Sequence, residues 1–353
     1  MTQAQYTPGR ILIILLGAGF LLVAIFSVIA RNYSESGHVT MPQYDSAIYM
    51  QYARAIAEGH PYRFNESDPP STGSTSHLYP LVLAVPYILG AKGDALVTAG
   101  FFLGALCYLG IIALVYLIAR KLVPDLAVVA ALIAGVLNGH ALFACIGVTD
   151  VGLYAVVALS VISAALYRYW KLAALGLVIA VFTRPEGAVL SATFFATGLV
   201  AFLVKKDERK HALPLLIVGA VGILAVVAML GLNYLLTGIT TFHSVLSKSR
   251  GLYYPPSESL FISLNDGGKI IREFLFGLSG QGRQFYMLPV VGGLLGIIGL
   301  SVRQREDKTE SLVEVAFLLA CVGAVALVTQ SGWQGFFWDR YFAWLLPLWL
   351  IYV

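Results

Sequence analysis

Apolar residues run along this chain in long blocks separated by short charged turns, and that alternation predicts helices that cross a membrane. The first block, 11–30, has the roughly 20 residues needed to span about 30 Å of hydrocarbon. Further blocks occupy 95–119, 123–145, 151–169, 172–183, 187–204, 212–235, 285–302, 311–330 and 341–353, ten spans in all. The block at 79–90 is different. At 1.5 Å per residue it makes about 18 Å of helix, too short to cross, and it reads as re-entrant or lying in the membrane plane.

Two long polar stretches interrupt the blocks, 31–94 and 236–284. Within the first, 46–58 reads as a helix with Asp45 as its N-cap and Gly59 as its stop. Ile48, Tyr52 and Ile56 recur at helical spacing and suit a helix lying in the interface. The prolines, glycines and serines that follow predict turns up to the next block. In the second stretch, 267–278 predicts an amphipathic helix with Ile270, Ile271, Phe274, Leu275 and Leu278 on one face.

Composition agrees with the pattern. Of 353 residues, 58% are hydrophobic and 12% charged, against about 25% charged in soluble domains. The expectation is an all-α polytopic membrane protein, a single transmembrane module over 1–353 in which the first span is a retained anchor. Cys107, Cys145 and Cys321 fall inside apolar blocks and read as core residues. No P-loop, dinucleotide fingerprint, CxxC pair or internal repeat is present, and nothing implies a nucleic-acid partner.

The charges orient the spans. With the N-terminus cytoplasmic, Arg10, Arg120 and Lys121, Arg168 and Lys171, the basic residues of 205–210 and those of 303–308 hold 12 of the 23 lysines and arginines, packed into very short turns. The positive-inside rule places those turns in the cytoplasm and both long polar stretches outside. Counting 79–90 as a full span would break this alternation.

Ionisable groups inside or at the ends of spans are expensive and mark candidate chemistry. Asp45 reads as an N-cap, a general base or a metal ligand. Asp150, in the turn GVTDVG, reads as a second cap or as an acid facing Asp45. Arg184 and Glu186 flank Pro185 after a short block, so they lie below the outer interface; they form a structural pair or present a guanidinium to phosphate. Arg340 opens the last block and suits either an aromatic belt with Trp338, Tyr341 and Trp344 or an anionic head group. Tyr49, His60, His77, Glu186, Lys248 and Arg250 are candidate substrate contacts. Outer acids and buried arginines between apolar spans suit a substrate with a phosphate head and a lipid tail.

These landmarks, in this order, resemble the GT-C superfamily of integral-membrane glycosyltransferases that use polyprenyl-phosphate sugars. The resemblance rests on YDSAIYMQYARAIAEGHPYRFN after the first span, then STGSTSHLYPLVLA, GVTDVGLYAV, the RPEG turn and RYFAWLLPL. It covers most of the chain and is similar to the arabinofuranosyltransferase-like and protein-mannosyltransferase-like branches. Many members open the first loop with paired acids, where this chain has Tyr44-Asp45, and many have a small residue or proline at the position of His77. Many carry a soluble domain after the last span, and the expectation here is that none is present. The resemblance implies Asp45 as catalytic base, Asp150 as second acid, and Arg184 and Arg340 as donor-phosphate contacts. It implies a polyprenyl-phosphate sugar donor, a glycan, lipid or protein acceptor, and a site on the extracytoplasmic face of the cell (inner) membrane. A divalent cation is the one cofactor left open. A transporter or flippase of lipid-linked intermediates, and a non-catalytic membrane scaffold, are the competing readings.

Overall fold

The computed structural model describes residues 8–32, 39, 41, 43–204, 206–247 and 307–330. Among these the chain is helical, with no strand. The helices are α1 (Pro8–Asn32), α2 (Asp45–Ala57), α3 (Leu78–Ile88), α4 (Asp94–Leu122), α5 (Ala127–Ala131), α6 (Gly139–Ile146), α7 (Asp150–Leu166), α8 (Trp170–Thr183), α9 (Glu186–Val204), α10 (Arg209–Thr237), α11 (His243–Leu246) and α12 (Lys308–Gln330). Four of them, α1, α4, α9 and α10, are long and apolar enough to cross a membrane; α7 and α8 are shorter apolar helices. The expected spans 285–302 and 341–353, the helix expected over 267–278, and Lys248, Arg250 and Arg340 lie outside the described residues.

The long helices stack up and down. α1 packs on α4, α4 on α7, α7 on α8, and α9 on α8, α10 and α12. The core follows this path through fully buried Tyr108, Ile111, Ile112, Leu159, Ile162 and Phe194. Glycines let α9 and α10 approach: a Cβ on Gly198 would collide with the backbone of Leu216, and one on Gly219 with that of Phe195. Lipid tails are as apolar as leucine, so close packing of small residues does the work that water-driven burial does in soluble bundles.

One end of the bundle is basic and tied by ion pairs. Lys121 meets Glu310 at 2.6 Å, Arg168 meets Asp307 at 2.5 Å and Lys308 reaches Glu208 at 3.9 Å. The Tyr116 hydroxyl donates to the carbonyl of Pro8 at 3.3 Å, which brings the start of α1 to this end. The turns assigned to one side from charge alone therefore do meet at one end. The polar stretch from α2 to α3 lies at the other.

The block expected as one span over 123–145 is broken. A 3-10 turn (Pro124–Leu126) leads into α5, a π-helical turn (Leu132–Val136) follows, and α6 starts afresh at Gly139. The break falls at Asn138, whose Oδ1 accepts from Ala141 N and whose Nδ2 donates to Ala134 O, both at 3.1 Å. The Tyr108 hydroxyl donates to the carbonyl of Val136 at 2.6 Å. Backbone groups released by the break are thus satisfied inside the protein, the condition for irregular chain at membrane depth.

Candidate active site

α2 begins at Asp45 with Tyr44 at the cap position and ends at Ala57; Gly59, just past the Glu58 cap, has a φ of 89°, the left-handed stop expected from sequence. Asp45 is therefore a first-turn residue and not the cap. Its carboxylate complements the positive end of the helix dipole from there. α2 folds back on α3 through Tyr49, Ala53, Tyr79, Leu83 and Ala84, with the Tyr49 and Tyr79 rings edge-to-face at 5.2 Å. Of the expected Ile48–Tyr52–Ile56 stripe, Ile56 packs against this cluster, while Ile48 faces the cavity described below. Tyr52 is also buried, against Phe64, so loop residues cover that side.

The start of α2 is stitched to the turn that carries Asp150. Ser46 Oγ donates to the carbonyl of Gly147 at 2.7 Å, and is itself fully buried. The next residue, Val148, has φ 51°. That conformation is costly for a β-branched side chain, and Val148 is held there fully buried against the Gly100 face of α4.

Asp150 opens α7 after Thr149 and does not serve as its cap. It is 1% exposed, and its Oδ1 accepts from Arg184 Nη1 at 2.6 Å. The same guanidinium reaches Glu186, with Nη2 at 2.7 Å and Nε at 3.2 Å from both carboxylate oxygens. Arg184 and Glu186 are each 4% exposed. This buried cluster holds one cation between two carboxylates. Its local cause is the RPEG sequence. Pro185 pushes Arg184 to an extended backbone, φ −153° and ψ 149°, which ends α8. Gly187 then lets α9 start hard against α8: a Cβ there would lie 2.5 Å from Val181 N. The Arg184–Glu186 pair is a buried ion pair, and the same guanidinium also engages Asp150.

Asp45 lies on a cavity of about 350 Å³ lined with Ile48, Tyr49, Gly73, Ser74, Thr75, His243, Ser244 and Ser247. That size is within the range of small-molecule sites. Tyr49 joins the cavity to the buried cluster: it lines the cavity, and its hydroxyl lies beside Asp150. Asp45 and Asp150 thus belong to two connected layers. Asp45 is on the cavity and partly exposed; Asp150 is behind Tyr49 in the interior.

Loop 1, the segment between α2 and α3, is fixed to the end of α8 and to the corner after α10. His77 N donates to the carbonyl of Phe182 at 3.1 Å, and Thr75 Oγ1 donates to Ser244 Oγ at 3.1 Å. The His77 ring packs among Tyr62, Phe182 and Phe242, 4.9 Å from the last. Burial pushes its imidazole below the ordinary value, with a smaller opposing effect from the Asn233 side chain. His77 is a wedge in the loop. His60 sits 4.0 Å from Glu58 near the end of α2, outside the cavity lining.

Of the described lining residues, sequence reading singled out only Asp45 and Tyr49 as site candidates; His243 is the titratable one it missed. It stands 171 positions from Thr72, its partner, in a corner with no motif. Among the described residues no group of three or more His, Cys, Asp or Glu is placed to hold a metal ion. The described lining residues offer one carboxylate, Asp45, and one imidazole, His243, fewer donors than a metal-ion site uses.

Comparison with protein-family models, with curated proteins and with solved structures found no match to this chain.

Proposed function

We propose that this chain is a membrane-embedded glycosyltransferase of the GT-C type, moving a sugar from a polyprenyl-phosphate donor to an acceptor at the polar-loop end of the bundle. The observation that carries the reading is the cavity at Asp45, backed through Tyr49 by the buried Asp150–Arg184–Glu186 cluster. A partly exposed carboxylate on a hydroxyl-lined cavity is suited to take a proton from an acceptor hydroxyl. A lipid-linked donor needs a protein whose apolar helices meet the membrane, and the long apolar helices supply that surface.

In the proposed step the acceptor oxygen gives its proton to Asp45 and bonds to the anomeric carbon. The bond from that carbon to the phosphate oxygen breaks, and polyprenyl phosphate leaves with the electron pair. The anomeric centre inverts. Asp150 does not touch the acceptor; Arg184 and Glu186 lock its position, and it orients Tyr49 against the cavity. The wider architecture proposed with this reading has ten spans, a cytoplasmic N-terminus and an extracytoplasmic site in the inner membrane. The acceptor is a glycan, lipid or protein.

The test is transfer of labelled sugar from a polyprenyl-phosphate donor to a panel of acceptors by the full chain in proteoliposomes. The broken helix around Asn138 favours one second reading, a transporter of lipid-linked intermediates, since discontinuous helices are common in transporters. Movement of labelled lipid between leaflets with no acceptor present, and no sugar transfer with one, would select it.

A further inference from the structure

Arg184 holds two carboxylates at once, and all three side chains are buried. Its guanidinium meets Asp150 Oδ1 at 2.6 Å and Glu186 Oε1 at 2.7 Å, with Nε 3.2 Å from both Glu186 oxygens. Among the described residues neither carboxylate pairs with a second cation. Ionised throughout, the cluster carries one net negative charge in the interior, where an uncompensated charge is very costly. Two acids sharing one site relieve that cost when one of them keeps its proton.

The hydrogen bonds say which acid keeps it. Three of the four carboxylate oxygens accept from Arg184. Both oxygens of Glu186 are among them, the arrangement of an ionised carboxylate on a guanidinium. The fourth oxygen, Asp150 Oδ2, is buried outside hydrogen-bond geometry with any donor among the described residues, although the Tyr49 hydroxyl lies beside this carboxyl. An ionised Asp150 leaves that oxygen charged and bare. A protonated Asp150 turns it into a donor, with the Tyr49 oxygen beside it to accept. The other titratable groups around it are Tyr79 on α3, with Cys107 and Cys145 behind it, and Tyr154 on α7. Tyrosine and cysteine side chains are ordinarily neutral near pH 7 and bring no positive charge. Asp45 stands on the cavity side of Tyr49.

We infer that Asp150 is a proton-binding site, holding its proton on Oδ2 at neutral pH and linked to the Asp45 cavity by Tyr49. Arg184 and Glu186 then form a neutral ion pair, and Asp150 Oδ1 stays bonded to Nη1 as a carbonyl oxygen. Oδ2–H donates to the Tyr49 oxygen, which leaves the Tyr49 hydroxyl hydrogen to donate toward the cavity. Tyr49 thus presents a donor, and not a lone pair, to an oxygen that a ligand places there. Asp150 is a positioning residue in this arrangement, acting on the cavity through Tyr49. The inference goes beyond the glycosyltransferase reading and does not rest on it.

The test is infrared spectroscopy of the full chain in nanodiscs near pH 7, reading the carbonyl stretch that a protonated carboxyl has and a carboxylate lacks. The expected result is such a band in the parent, shifted by isotopic labelling of the aspartate side-chain carboxyl carbon and unshifted by the same labelling of glutamate. It is lost in Asp150→Asn. In Tyr49→Phe it persists and moves to higher frequency, because the carboxyl has lost its hydrogen-bond acceptor. In Glu186→Gln it is lost again, because Asp150 alone then balances Arg184 and ionises. Labelling of the parent and the Glu186→Gln spectrum decide the matter even where Asp150→Asn does not fold. No such band in the parent, a band that follows glutamate labelling, a band retained in Asp150→Asn or Glu186→Gln, or one unmoved in Tyr49→Phe each overturns the assignment. A parent that shows the band with the expected pattern and transfers no sugar leaves it standing and removes the enzyme reading.

Discussion

Arg184 Nη1 lies 2.6 Å from Asp150 Oδ1, joining the end of α8 to the start of α7 across 34 residues of sequence, with both side chains buried. Glu186 takes the other edge of the guanidinium. Removing one member of a buried ionic cluster leaves its partners uncompensated, at a cost of about 3–5 kcal/mol. Arg184→Ala is expected to lose that much, since two carboxylates then remain. Asp150→Asn should lose less, because Arg184 keeps Glu186. A double-mutant cycle by thermal unfolding in detergent checks this; strictly additive losses would contradict the pairing.

The turn that presents Arg184 needs glycine at 187. A Cβ there would lie 2.5 Å from Val181 N and 2.7 Å from the Ala180 carbonyl oxygen, both backbone atoms that cannot rotate away. Gly187→Ala is expected to destabilise by about 1–3 kcal/mol, the range for overpacking. Gly17 in α1 has nothing within 4 Å of the corresponding position, so Gly17→Ala serves as the control. Equal midpoints for the two variants would refute the close approach.

His77 gives the fold a dependence on pH. Burial lowers its imidazole below the ordinary value near 6.5, so the neutral ring is the folded form. The sign follows from linkage: above about pH 6.5 neither state binds the proton, and below it the unfolded chain binds it first. Stability from this residue is therefore present above the unfolded value and is lost as pH falls toward the folded one. His77→Phe keeps an aromatic ring among Tyr62, Phe182 and Phe242 and removes the titration. Its unfolding midpoint should fall less than that of the parent between pH 7 and 5. Identical slopes would show that His77 is not the group responsible.

Tyr49 is the contact between cavity and cluster. Tyr49→Phe retains the edge-to-face packing on Tyr79 and loses the hydroxyl beside Asp150. Sugar transfer is expected to slow about tenfold or more while the unfolding midpoint moves by no more than about 1 kcal/mol equivalent, the net worth of one hydrogen bond. A midpoint that drops with unchanged turnover would make Tyr49 structural only.

The sequence told most where local physics decides. Gly59 ends α2 because a left-handed residue is needed there, and Pro185 ends α8 because the residue before a proline avoids the helical region. The basic turns at one end of the bundle were legible as a charge bias. Hydropathy averages hide the break in 123–145: most of its residues are apolar or small, and only Pro124, Asp125, Gly135 and the Asn138-Gly139-His140 run signal it. Asp45 and Asp150 both looked like caps, since an acid before an apolar run fits that role, yet each begins its helix one position later than a cap would. Asp150 reads from sequence as a cap or as an acid facing Asp45. It faces Arg184, a partner no local pattern names. The His243–Thr72 pair, 171 residues apart, depends wholly on how α10 returns the chain to loop 1.

In the proposed reaction Asp45 takes the acceptor's proton. It is tested most directly by single-turnover sugar transfer from a polyprenyl-phosphate donor, comparing parent and Asp45→Asn in proteoliposomes at matched folding. Asparagine keeps the shape and cannot act as the base. The account predicts a rate lower by about 10²- to 10⁴-fold, the usual contribution of a general base, with the unfolding midpoint nearly unchanged. Turnover by Asp45→Asn at the parental rate would contradict it.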